Sequence, residues 1–326
     1  MSNPASATHP SSASRYLLVT PCRNEAQYMV KTLESVAGQD ILPALWVIVD
    51  DGSTDETPAI LRDYAARHDW IRVLTKPDRG SRAVGPGVVE AFYHGLDRVD
   101  WASFDYLCKL DLDLDLPKGY FSGLMARMQA NPRLGSCSGK PYFRAGGGGM
   151  VSEKCGDEMS VGMTKFYRVA CFKDIGGFVH EVMWDAIDCH KSRQLGWMVR
   201  SWDDPDLRFE HLRPMGSSQK GVLTGRMRHG FGQYYMGSTF WYFTATCVYR
   251  AAHPPAVIGS LASWWGYMKA WARSVPQHQD AGLRSFIQSY QRRALVAGKR
   301  RATAEIEAAF AGQWQAGKAA KDPVKP

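Results

Sequence analysis

The chain has 326 residues, 45% of them hydrophobic and 22% charged, enough to bury one large core with an appendage or two modest domains. Its seven cysteines are scattered singly with no C-x-x-C pair, which argues against a disulfide framework and a cysteine-based zinc site and fits a reducing compartment. The formal charge of +8 is uneven: from Lys269 onward eleven Lys and Arg face four acidic residues.

Residues 1–14 are rich in Ser, Ala and Pro and lack the apolar centre of a secretory signal, so they read as a disordered leader. A strand is predicted from Tyr16, then a turn at Pro21 through Asn24 and Glu25 into a helix with Met29, Leu33 and Val36 at helical spacing. The segment LWVIVDDGSTDET repeats the form, with a strand over Leu45 to Val49, a turn at Asp51-Gly52 and a helix carrying Ile60, Leu61 and Tyr64. A third strand, Ile71 to Thr75, leads through the glycine-rich DRGSRAVGPG to a helix from Val88 to Leu96, and YLCKLDLDLDLP supplies another strand. This alternation predicts an α/β fold on a mostly parallel open sheet. Ligands of such sheets bind at the carboxyl ends of the strands, and there fall Pro21 to Glu25, Asp50-Asp51 and Asp111 to Asp115.

After Gly149 the order is less regular, with a segment from Thr164 to Phe178, a helix through Asp185 that Gly196 stops, and a further strand. From about Arg226 the chain is aromatic-rich and helical in pattern. No window reaches the roughly 18 to 20 apolar residues of a spanning helix.

Alternating carboxylates on a strand share one face, so Asp111, Asp113 and Asp115 repel one another unless a cation or hydrogen-bond donors compensate them. Hard divalent cations such as Mg²⁺ or Mn²⁺ take such oxygens and bridge them to substrate phosphates. Singly, each feature has a plain explanation: Asp51-Gly52 is a turn, Asn24-Glu25 a helix start, Asp185 a helix cap.

In series they carry more. T-P-C-R-N-E at Thr20 to Glu25, V-D-D-G-S-T-D at Val49 to Asp55, D-x-D at Asp111 to Asp113, and W-D-x-x-D ahead of a helix ending L-G-W at Trp197 resemble the inverting glycosyltransferase family 2. The resemblance covers roughly Tyr16 to Gly216. It implies a GT-A-type fold, a mostly parallel open sheet flanked by helices, with a nucleotide-sugar-binding catalytic domain over residues 15–225 and a helical, aromatic-rich, basic C-terminal region over 226–326. It further implies that Pro21, Asn24 and Glu25 line the nucleotide site, that Asp51 hydrogen-bonds base or ribose, and that Asp111 and Asp113 contact the ribose and hold Mg²⁺ or Mn²⁺ on the donor diphosphate. Arg79 and Arg82 are available to phosphate, His211 is a candidate further metal ligand, and Asp185 falls at the general base.

Two departures leave alternatives open. Trp184 stands where the motif usually has Glu, so Asp188, one turn on, rivals Asp185, and Asp115 rivals the other two acids for the metal. The glycine-rich run is not a dinucleotide fingerprint, because it lacks the G-x-G-x-x-G order and is not the first strand-helix turn.

The expected activity is transfer of a sugar from a nucleotide diphosphate donor to a hydroxyl of a saccharide or lipid-linked acceptor, in polysaccharide or glycolipid assembly. The basic, aromatic C-terminal third fits an anionic membrane surface and fits a buried helical subdomain equally well; the first gives a cytoplasmic protein peripheral on the inner face of the plasma membrane. A sugar-phosphate nucleotidyltransferase is the rival enzyme. A non-enzymatic nucleic-acid-binding protein, recruited by the basic tail, is the rival outside enzymes; because that tail lies outside the motif-bearing region, nucleic acid is not the expected partner.

Overall fold

The computed structural model describes residues 14–80, 85–146, 148–213, 221–252 and 256–321, with the side chains of 313 and 315–321 set aside. The predicted leader up to residue 13 and Arg82 lie outside the described residues.

In chain order the strands and helices are β1 (Tyr16–Cys22), α1 (Met29–Ala37), β2 (Leu45–Asp50), α2 (Thr57–Arg67), β3 (Ile71–Thr75), α3 (Pro86–Leu96), β4 (Tyr106–Leu110), β5 (Leu114–Asp115), α4 (Tyr120–Ala130), β6 (Leu134–Ser138), β7 (Lys140–Arg144) and β8 (Met150–Ser152). There follow β9 (Thr164–Arg168), α5 (Val169–Asp174), α6 (Trp184–Gln194), β10 (Met198–Ser201), β11 (Arg208–His211), α7 (Val222–Tyr235), α8 (Phe240–Arg250), α9 (Ala256–Ala272), α10 (Ala281–Ala297) and α11 (Lys299–Lys321).

Seven strands form one sheet in the order β10-β6-β9-β4-β1-β2-β3, parallel except for β9, which runs against β4 and β6. β1 lies inside this sheet and is buried on both faces, which is why its sequence is a continuous apolar run instead of an alternating one. Leu17 and Val19 pack on one side with Val47, Val49 and Phe92, while Tyr16 and Leu18 pack on the other with Trp46, Ile48 and Phe121. The two faces are covered by separate hydrophobic clusters, giving the layered α/β arrangement expected.

A second sheet, β5-β11-β7-β8, was not legible in the sequence. It corrects one expectation: the acids Asp111 to Asp115 do not continue a single strand. The chain leaves the large sheet at Leu110, crosses over at Asp111 to Asp113, and enters the small sheet, where Asp115 pairs with Glu210 of β11.

In the C-terminal helical region α7, α8 and α9 share a cluster around Tyr234, Phe243 and Tyr267. Leu283 and Ile287 of α10 pack on Ala186 and Ile187 of α6, joining this region to the sheet half. Among the described residues no helix is long and apolar enough to cross a membrane.

Candidate active site

β1 and β2 are parallel neighbours in register, Cys22 opposite Asp50, so the loops after them emerge side by side. Asn24 takes a positive φ of 52°, a conformation Asn tolerates better than most residues. Its Oδ1 accepts from the Thr54 N–H at 2.8 Å and its own N–H donates to Ser53 Oγ at 2.9 Å. The Glu25 N–H donates to Thr57 Oγ1 at 2.9 Å. The two motif loops are thus clamped to one another, and the Asn24 side chain is spent on that clamp.

Asp51 is buried, and its carboxylate is gripped by Arg79, with Lys76 Nζ at 3.4 Å. Both cations also hold Glu90, at 3.1 and 2.6 Å. Gly52 closes the turn at φ 75°, where an added Cβ would lie 2.5 Å from Asp78 Cα. No other residue fits there without moving the chain.

The crossover after β4 brings the D-x-D acids to the same end of the sheet. Asp113 is buried; Arg213 Nη2 donates to its Oδ2 at 2.6 Å and to Glu25 Oε1 at 3.0 Å, which ties the first motif to the third. His211 completes this corner, with Nδ1 at 2.8 Å from Glu153 Oε2 and Nε2 at 3.7 Å from Asp113 Oδ2. Burial alone would push the Asp113 carboxyl up, yet His211 and Arg213 hold it down at about 2. Burial would likewise lower His211, but Asp113 and Glu153 carry it up to about 9. Asp113 Oδ1 is buried and accepts no hydrogen bond from the described residues.

Asp111 keeps about a third of its side chain in solvent and takes Lys109 Nζ on Oδ1 at 2.5 Å. Burial pushes its pKa up against Lys109, and Asp113 adds to the rise. The same ammonium donates to the Gly162 carbonyl at 3.0 Å. On the other side of Gly162 lies the Asp185 carboxylate, so close that a Cβ on Gly162 would come within 2.6 Å of Oδ2. One glycine and one lysine therefore separate Asp185 from the D-x-D acids.

Asp185 is half-buried in the first turn of α6, after Met183 at φ 64°. Asp188 differs: it is fully buried, with both oxygens on the ammonium of Lys165, itself fully buried. Lys165 Nζ also donates to the Asp185 carbonyl at 2.6 Å, fixing the turn that carries its carboxylate. Trp184 has a physical account, since its ring receives Lys109 Nζ at 5.3 Å and Lys165 Nζ at 5.7 Å. Asp115 points away from the cluster toward Lys31, at 3.6 Å. Pro21 is partly exposed at the end of β1.

Sequence reasoning missed Lys109, Glu153 and Lys165. For Lys109 the available signal was a lysine inside an otherwise apolar strand, YLCKL; Lys165 sits in TKFYR, between Thr164 and an aromatic pair, and is less marked.

Among the described residues no three His, Cys, Asp or Glu side chains come close enough to hold a metal by themselves. The corner nonetheless fits a hard cation that takes part of its shell from a diphosphate. Asp113 Oδ1 is a buried acceptor without a donor among the described residues, Asp111 contributes a second carboxylate, and His211, anchored through Nδ1 on Glu153, would offer Nε2 to a cation on giving up the proton it now turns to Asp113.

Known proteins resemble this chain in sequence and in fold. The profile of Glycosyl transferase family 2 matches residues 17–181, half of the chain, and ends just before the last motif at Trp184 to Trp197. Poly-beta-1,6-N-acetyl-D-glucosamine synthase of Staphylococcus epidermidis is 28% identical over 124 residues, 38% of this chain and 27% of that protein. The Staphylococcus aureus enzyme of the same name is 27% identical over 126 residues, again 27% of its length, so the aligned stretch spans about a quarter of these relatives. Among solved structures, the mannosyltransferase PcManGT from Pyrobaculum calidifontis, in complex with GDP-Man and Mn²⁺, superposes with a TM-score of 0.51 at 18% identity, covering 95% of this chain and 90% of that one. GalNAc-T7 with UDP, GalNAc and Mn²⁺ gives 0.54 at 13% identity, covering 85% and 54%. These likenesses show a GT-A-type fold, and the family match shows that the chain belongs to glycosyl transferase family 2.

Proposed function

We propose that the protein transfers a sugar from a nucleoside diphosphate sugar to an acceptor hydroxyl with inversion, in assembly of a polysaccharide or glycolipid. One observation carries this: acids from separate loops, Glu25, Asp111, Asp113 and Asp185, converge through Arg213, Lys109 and Gly162 at the carboxyl end of one sheet.

Pro21, Glu25 and the Asp51 loop form the nucleotide side, with Asn24 holding the two loops together. Because Arg79 and Lys76 already occupy the Asp51 carboxylate, they are placed to meet the nucleotide with it. Asp111, Asp113 and His211 would hold Mg²⁺ or Mn²⁺, which when bound stabilises charge on a leaving diphosphate. Mn²⁺ accompanies nucleotide in the two structural neighbours.

Asp185 takes the proton of the acceptor hydroxyl as that oxygen bonds to the anomeric carbon and the bond to the diphosphate breaks. Its carboxylate has room for this role, whereas that of Asp188 is consumed by Lys165. Lys109 holds Asp111 and the Gly162 carbonyl together, which sets the separation between the donor side and the base.

The test is Asp185→Asn, with donor binding and turnover measured apart. Turnover is expected to fall by about 10²- to 10⁴-fold, the usual worth of a general base, while donor affinity stays near that of the wild type. Near-normal turnover would remove Asp185 from the role.

A further inference from the structure

From Gly221 to Gln279 the sequence contains no Asp or Glu, while it holds Arg226, Arg228, Arg250, Lys269 and Arg273. This segment builds α7, α8 and α9, and α9 is inside out for a helix in water. Its inner face is small apart from Tyr267: Gly259, Ser263, Gly266 and Ala270 are buried. A Cβ on Gly266 would lie 2.1 Å from the Met227 carbonyl oxygen of α7, and one on Gly230 would lie 1.8 Å from that of Ser263. Its outer face presents Ile258, Leu261 and Trp265, the last 58% exposed. Beside it, α8 is packed on α9 with Trp264 Nε1 donating to Thr244 Oγ1, and exposes Trp241 at 75% together with Val248 and Tyr249.

A helix in water turns its bulky apolar residues inward. Close approach through small residues, with large apolar ones outside, is instead the habit of helices packed in an apolar medium. Isolated exposed apolar residues need no explanation, but two packed helices exposing several do. The charge points the same way. Arg250 ends α8 in solvent, directly after the exposed Val248 and Tyr249, which sets a cation beside the apolar face.

We propose that the outer face of α8 and α9 docks in the plane of an anionic lipid leaflet, with Trp241, Leu261 and Trp265 at the acyl boundary and the neighbouring cations at the headgroups. None of these helices is long and apolar enough to span, so the contact is interfacial. The carboxylate-free stretch fits anionic lipid by charge.

The platform is also next to the chemistry. On α7, a Cβ at Gly232 would come within 2.2 Å of Met183, the residue that precedes the helix of Asp185. Resting on the transfer reading, this placement makes the acceptor a lipid-linked one, presented at the leaflet.

The full chain is tested by flotation with vesicles of phosphatidylcholine alone and of phosphatidylcholine mixed with phosphatidylglycerol. The wild type is expected to float with the mixed vesicles, and the pair Leu261→Glu and Trp265→Glu to lose at least about tenfold in partitioning, as charges replace buried apolar area. Both substitutions sit in solvent, so an unchanged thermal melt confirms that the variant is folded. Wild type that stays in the soluble fraction, or a variant that floats equally well, overturns the proposal. Equal partitioning into neutral vesicles overturns the assignment of the lipid as anionic. A wild-type dimer that the variant converts to monomer, with no flotation, hands the face to a second copy of the chain. Nucleotide binding on the same samples separates the two readings: flotation without nucleotide binding sinks the transfer reading and leaves the docking face standing, and the converse sinks only the docking face.

Discussion

The sheet half and the helices α7 to α9 solve opposite problems with similar residues. Around β1 and β2 the large apolar side chains are fully buried and charges gather at the strand ends. In α9 glycine, serine and alanine are inside while leucine, isoleucine and tryptophan face out. The contrast teaches that apolar content says little about where the core lies: the packing partner, and the medium on the far side, decide which face is buried.

Substitutions can break or sharpen that contrast. The largest cost to folding is expected for Lys165→Met, which leaves the fully buried Asp188 without its cation and should lower stability by about 3–5 kcal/mol in chemical denaturation. Adding Asp188→Leu should return much of it, and failure to do so would mean that the pair does more than cancel its own charge. Leu18→Ala, in the centre of the sheet, should cost about 2–5 kcal/mol by the same measurement, as a deleted core side chain does. Gly266→Ala tests the inner face of α9. Overpacking against the Met227 carbonyl should cost about 1–3 kcal/mol, and a neutral result would mean that α7 and α9 separate easily. Leu261→Ala should change stability in water by no more than about 0.5 kcal/mol, since the side chain is already in solvent. A loss like that of Leu18 would refute the inverted helix.

The sheet strands were readable because parallel strands buried on both faces leave unbroken apolar runs, as in LLV of β1 and WVIV of β2. Strand β6, LGSCS, is just as buried yet carries small and polar residues, so no periodicity announces it. The small sheet is built from strands two to five residues long, of which β5 and β11 are far in sequence from the β7–β8 pair, and short segments have no local signal to find. Of the site, the motif acids were visible and their meeting point was not. Lys165 reaches Asp188 and Arg213 reaches Glu25 only through the fold, so the competition between Asp185 and Asp188, open in the sequence, became arguable only once their partners could be seen. Asp115 shows the same limit, because the alternating acids suggested one shared face and the crossover between sheets turns it toward Lys31.

Arg213 also has a consequence for the loops it joins. By bridging Glu25 and Asp113 while stacked over Tyr28, it lets two buried acids sit close to one another. The loops that bear them are accordingly tied together in folding, and under the proposed function a donor binding there would lose less of its contact energy to ordering them.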